Sequence, residues 1–157
     1  MNNTNELARA KKVFEDLCNS LDIRHWDYEK YDEALAVAFM AGGEDIPMSF
    51  IVMVDPAHQI IRLVSRLPFT VPEDKRVDVA IATCAASYAL TDGNFDFDIE
   101  KGIVSFRLTA SFRESDIGDG LFEYLVMFSG LVVDRFNDKF LALCKGIIDV
   151  DVFFNHE

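Results

Sequence analysis

Phe95-Asp96-Phe97-Asp98-Ile99-Glu100-Lys101-Gly102-Ile103-Val104-Ser105-Phe106-Arg107-Leu108-Thr109-Ala110-Ser111-Phe112 carries the clearest two-residue period in the chain. Phe95, Phe97 and Ile99 alternate with Asp96, Asp98 and Glu100. Beyond Lys101-Gly102, the residues Val104, Phe106, Leu108, Ala110 and Phe112 alternate with Ser105, Arg107, Thr109 and Ser111. Alternation on both sides of a glycine turn predicts a β-hairpin with one buried and one wet face. Asp96 and Asp98 on one wet face and Arg107 on the other form the kind of opposite-sign cross-strand pair that adds a few tenths of a kcal/mol.

Upstream of the hairpin the period is helical. Pro72 suits a first helical position, and Glu73 and Asp74 just inside favour the positive end of the helix dipole. Val77, Ala80, Ile81, Cys84 and Tyr88 recur as one apolar face of a helix that runs through Leu90 and is stopped by Asp92-Gly93-Asn94. Ala82, Ala85, Ala86 and Ala89 thin out the rest, leaving a small-residue face that permits close approach to another surface. Further upstream, residues 34–40, 48–54 and 60–67 are short Ile/Val/Leu/Met/Phe-rich runs. Gly42-Gly43-Glu44-Asp45 and Asp55-Pro56-Ala57-His58 separate them, the pattern of an antiparallel meander. A weaker strand precedes them at 25–31, where Trp26 and Tyr28 alternate with charge. Leu7, Ala10, Val13, Phe14, Leu17 and Leu21 predict a first helix over 5–21, with Asn3 and Glu6 spaced as a capping box.

Downstream, residues 113–120 form a polar loop with Asp119 as the expected helix N-cap. A long helix follows over 121–145, closed by Gly146. Phe122, Leu125, Ser129, Val132, Phe136, Phe140 and Leu143 make its stripe. From Tyr124 to Val133 ten residues are uncharged and apolar nearly all round, so a second face needs cover. Either an oligomer supplies it, through Tyr124, Met127, Phe128 and Leu131, or residues 147–154 fold back over it. Alternation of Ile148, Val150, Val152 and Phe154 permits a short strand in that tail.

The fold class expected is therefore α+β, an antiparallel sheet of about five strands packed by three helices in the order α-βββ-α-ββ-α. It is read as a single domain over 1–157 with 147–157 as a C-terminal extension. With 157 residues, half of them hydrophobic, one core can form without disulfides or metal. The net charge of −12 argues against nucleic-acid phosphates and anionic membranes as partners. Acidic residues crowd both flanks, whereas the charges of 46–90 balance, so self-association is expected in that central region. The longest uncharged run, 79–91, has 13 residues, short of the about 20 that span a bilayer. The first residues lack a basic signal-like region, and Cys18, Cys84 and Cys144 form no CxxC, which together predict a reducing cytoplasm.

No residue pattern announces a reaction. His25, His58 and His156 lie far apart. Asp92-Gly93-Asn94-Phe95-Asp96 begins like a calcium loop, but Phe97 stands where a glycine is needed and Ile103 where a glutamate is needed. There is no GxSxG, and each cysteine sits where a small hydrophobe would serve. Gly118-Asp119-Gly120 opens a helix, yet the carboxylates of Asp116, Asp119 and Glu123 would repel a phosphate. Catalytic residues, cofactors and metal ligands are accordingly expected to be none.

The element order, with Leu67-Pro68-Phe69-Thr70-Val71-Pro72-Glu73 entering an alanine-rich helix, then Asp92-Gly93-Asn94-Phe95-Asp96-Phe97-Asp98 and Gly102-Ile103-Val104-Ser105-Phe106-Arg107, resembles the YbjN-like family. The likeness runs from about residue 6 to 146. It implies the fold of type III secretion chaperones, in a small acidic homodimer that binds another protein and acts as a sensory-transduction regulator. Secretion chaperones hold extended effector segments in hydrophobic grooves. The apolar tail beyond 146 departs from the family pattern, and a tail lying in the groove would undercut that analogy. The leading expectation is a non-enzymatic, chaperone-like module that binds a protein client in the cytoplasm. The alternative is a small-ligand sensor whose apolar pocket uses some of the 14 phenylalanines. An enzyme would require dispersed acids such as Asp55, Asp92 and Asp116 to converge on folding.

Overall fold

The computed structural model describes residues 2–43 and 45–154. Helix α1 (Asn2–Ile23) leads into β1 (Glu29–Tyr31), β2 (Ala36–Ala41), β3 (Met48–Asp55) and β4 (Ile60–Arg66). A 3-10 turn (Glu73–Lys75) enters α2 (Arg76–Tyr88). The hairpin β5 (Asn94–Asp98) and β6 (Ile103–Ser111) follows, then α3 (Asp119–Cys144) and a last 3-10 turn (Val150–Phe153). The six strands form one sheet in the order β1-β2-β3-β4-β6-β5, antiparallel at every step. This α+β arrangement has one strand more than the about five expected. The weak strand at 25–31 is realised as the three residues of β1. β2 starts two residues later than its apolar run because Leu35, at φ 48°, closes the turn after β1.

The alternation in the strands is what builds the core. Met48, Phe50, Val52 and Val54 of β3 are buried while Ser49, Ile51 and Met53 point to the other side, and Val104, Phe106 and Leu108 do the same in β6. The buried sheet face closes over Val13, Phe14, Leu17 and Leu21 of α1 and Phe122, Leu125, Val132, Phe136 and Phe140 of α3. On the hairpin's wet face Arg107 stands opposite Asn94 and grips the diagonal Asp96 with two bonds, Nε to Oδ2 at 2.7 Å and Nη2 to Oδ1 at 3.0 Å.

Two connections carry backbone requirements. α3 is capped at its C-terminus by Lys145 and then Gly146 at φ 68°. The Ile147 N–H donates to Ala142 O at 2.9 Å and the Gly146 N–H to Leu143 O at 3.0 Å, the paired bonds of a Schellman motif. At its other end the N-cap is Gly118 rather than Asp119, because the Asp119 carboxylate is engaged across the fold. Arg24, just past α1, donates from Nη1 to Asp119 Oδ1 at 2.8 Å and from Nη2 to Asp119 Oδ2 at 2.7 Å. The same Nη2 reaches Glu123 Oε2 at 3.1 Å.

The Arg24 fork, helped by Ser20, holds the Asp119 carboxyl down to about 2 from its ordinary 3.8. A depressed carboxyl stabilises the fold above its unfolded pKa and loses that contribution as pH falls through the folded one. Urea midpoints of the wild type and Asp119→Asn should therefore differ fully above about pH 5 and converge between about pH 4 and pH 2. A gap that persists unchanged at about pH 2 would show that the ion pair is not its source.

Among the described residues the tail makes no strand. Residues 147–149 turn back and Val150–Phe153 forms a 3-10 turn whose Phe153 is buried with Phe136 and Phe140, at ring separations of 6.4 and 5.0 Å. It thus covers the second half of α3, not the apolar first half that prompted the expectation of a fold-back.

Candidate functional site

Helix α2 turns inward much of the small-residue face offered as a partner surface. Ala82 and Ala86, expected on a partner surface, are 0% exposed and belong to the core with Val79 and Thr83. Ala85 is half-buried, and Ala89 is exposed just past the helix end. The reason is proximity. α2 sits so close to β5 that Ser87 Oγ accepts the Phe95 N–H at 2.9 Å, a separation that only small side chains on the inner face permit. Bulk is forced outward instead. Val77 is 67% and Tyr88 85% exposed, with Ile81 and Cys84 between them. Ile99 of the hairpin turn and Phe154 of the tail continue this surface into a shallow trough of about 770 Å³, whose lining has no charged side chain among the described residues.

The α3 residues expected at a surface divide into two pairs. Tyr124 and Phe128 stack at 5.2 Å, and the Tyr124 hydroxyl donates to Asp92 Oδ2 at 3.1 Å. Partial burial, then that bond, raises the Tyr124 pKa. Met127 and Leu131 are 51% and 70% exposed and form one wall of a groove of about 470 Å³. The facing wall comes from Trp26 in the loop after α1, Phe39 of β2, and Met48 and Phe50 of β3. Trp26, Phe39 and Phe50 are in ring contact, at 5.8 Å and 5.3 Å. Gly130 leaves the groove open, since a Cβ there would meet nothing within 4 Å. Asp27 and Asp134 complete the lining. Trp26 and Met48 went unassigned in the sequence because only the order of the strands brings them to this groove.

The runs that resembled chemical motifs are absorbed into the fold. Asp96, besides holding Arg107, accepts from Asn94 Nδ2 at 2.6 Å, and Asp92 accepts the Gly93 N–H at 2.8 Å. Asp55 caps its turn through the Ala57 and His58 N–H groups and meets His58 Nδ1 at 2.8 Å, contacts that lower its pKa, the His58 bonds most. Burial raises the pKa of Cys18 and of Cys144. Among the described residues no group of three His, Cys, Asp or Glu side chains could hold a metal ion. His156 lies outside those residues. No described helix is long and apolar enough to cross a membrane.

No family model and no curated protein matches the chain in sequence. Among solved structures it is similar to YbjN from E. coli, described as a proposed transcription regulator. The TM-score is 0.58 at 14% identity, over 80% of this chain and 92% of that one. The chain has the YbjN-like fold that its turn and alternation pattern led us to expect.

Proposed function

We propose that this chain is a non-enzymatic regulatory module of the cytoplasm, one domain with its C-terminal segment included, which self-associates through α2 and binds a segment of a partner protein. The outward face of α2 carries the reading. On a chain of net charge −12 the trough there has no charged side chain among the described residues that line it. Two copies can therefore meet there about a two-fold axis, burying Val77, Ile81, Tyr88 and Phe154 against their equivalents. The likeness to a proposed regulator is in keeping with it. The groove beside α3 stays open in such a dimer, and the described residues of the tail, seated on Phe136 and Phe140, do not line it.

Light scattering behind size exclusion tests the association. The wild type should run as a dimer at micromolar concentration. Ile81→Asp, at an exposed position, should run as a monomer with its thermal midpoint nearly unchanged. A monomeric wild type, or a dimer indifferent to Ile81→Asp, refutes the α2 assignment. A second reading rests on the groove alone, whose volume falls in the range of small-molecule sites. Native mass spectrometry that finds a stoichiometric small molecule lost on Leu131→Ser would favour a ligand sensor instead.

A further inference from the structure

The face of the sheet turned away from α1 and α3 departs from the polar outer surface usual for an antiparallel sheet covered on one side. Apart from Ser49 and Asp55, its outward positions on β2 and β3 are Ala36, Ala38, Met40, Ile51 and Met53. They stand in adjacent register, with Met40, Ile51 and Met53 exposed. Beside them β4 turns out Arg62, Val64 and Arg66, with Met53 next to Arg62 and Ile51 next to Val64. Among the described residues neither Arg62 nor Arg66 makes a side-chain hydrogen bond or ion pair, and Arg62 Nε is a buried donor left unmet. Carboxylates on this face are engaged already: Asp96 holds Arg107, Glu29 accepts from Tyr31, and Asp55 accepts from its own turn.

We propose that this open sheet face receives an acidic amphipathic helix of a partner protein, its apolar side over Met40, Ile51 and Met53 and its carboxylates on Arg62 and Arg66. The inference rests on the protein-binding reading and gives that partner segment a place and a chemistry. Its shape follows from the strands. β3 and β4 have neighbours on both sides, so their backbone groups are paired within the sheet. An extended peptide laid on them would turn its own N–H and C=O groups onto apolar side chains, whereas a helix bonds its own. Its charge follows from the arginines, whose forks take carboxylates through paired bonds. Four residues apart on one strand, Arg62 and Arg66 stand about 13 Å apart. Glutamates seven residues apart on a helix are separated by about 10.5 Å, a difference that two long arginine side chains bridge. A second copy of this face would bring two more unmatched arginines instead of acids.

The chain as a whole, at net charge −12, repels an acidic peptide, so binding of one reports a local site. The probes are three fluorescein-labelled 18-residue peptides followed by anisotropy. One is a Leu/Glu amphipathic helix with glutamates seven residues apart beside its leucine face, the second its Leu/Lys counterpart, and the third a scrambled Leu/Glu sequence of equal charge. The Leu/Glu helix should bind saturably, and the other two should not. Arg62→Glu should weaken that binding about tenfold or more, and Ile51→Ser, at an exposed position that leaves the core intact, about tenfold. Absence of saturable binding, equal binding by the Leu/Lys or scrambled peptide, or indifference to both substitutions would overturn the assignment. Indifference to both combined with loss on Leu131→Ser would overturn this face alone and keep the partner-binding reading, at the α3 groove. Light scattering on the same samples separates the dimer. A monomer that binds the Leu/Glu helix and loses it on Arg62→Glu supports this inference and defeats only the α2 assignment.

Discussion

Phe140→Ala lowers the free energy of unfolding by about 3–5 kcal/mol in urea titrations. Phe140 is wholly buried where α3, the hairpin and the tail meet, with ring centroids at 5.1 Å from Phe95, 6.5 Å from Phe136 and 5.0 Å from Phe153. Truncation removes the transfer free energy of a phenyl ring and leaves a void whose walls are other rings, which are too rigid to collapse into it. The informative partner is Phe153→Ala. If the tail were an appendage, that change would be nearly neutral. Because Phe153 is buried against Phe136 and Phe140, it should also cost a few kcal/mol. The double variant should cost less than the two singles together, by roughly 0.5–1.5 kcal/mol of ring–ring coupling. Additive losses would mean that the two rings do not stabilise one another.

Gly102→Ala is the second large effect, for a backbone reason. Gly102 turns the hairpin at φ 68°, its N–H donates to Asp98 O at 2.8 Å, and its carbonyl accepts the Val71 N–H at 2.8 Å. A Cβ there would stand 2.6 Å from Val71 O. The left-handed conformation costs an alanine about 1–2 kcal/mol, and relieving the clash sacrifices the bond to Val71. The summed loss should reach about 2–4 kcal/mol. Gly118→Ala, where a Cβ meets nothing within 4 Å, is the control and should change the urea midpoint little. Equal effects at the two positions would rule out the close approach as the cause.

What could be read from the sequence divides along a physical line. A strand's period of two sets its buried face without reference to anything distant, so the hairpin from Phe95 to Phe112 and the runs that became β2, β3 and β4 were legible with near-correct limits. Gly146 as the stop of α3 was legible for the same local reason. Helix α2 was not, because its two faces, one bulky and one small, are both apolar, and bulk alone assigns Val77, Ile81 and Tyr88 to the core. The deciding quantity is the spacing to β5, a tertiary distance. The two candidate surfaces fared accordingly. Met127 and Leu131 stand exposed because uncharged residues surround all of that half of α3, while Ala82 and Ala86 vanish into the core. The Arg24–Asp119 pair joins positions 95 residues apart, a separation no local pattern encodes.

The sheet's order has one more consequence. Its outermost strands are β1, of three residues with Glu29 and Lys30, and β5, of five residues with Asp96 and Asp98. Both are shorter than the roughly six-residue uncharged segments that stack into cross-β zippers, and both carry charge. The longest strands, β3 and β6, have neighbours on both sides. Growth by adding strands would proceed without limit, whereas a contact across a two-fold axis stops at a pair. By placing its briefest, most charged strands outermost, the molecule closes the route to fibres while leaving helix faces free for finite assembly.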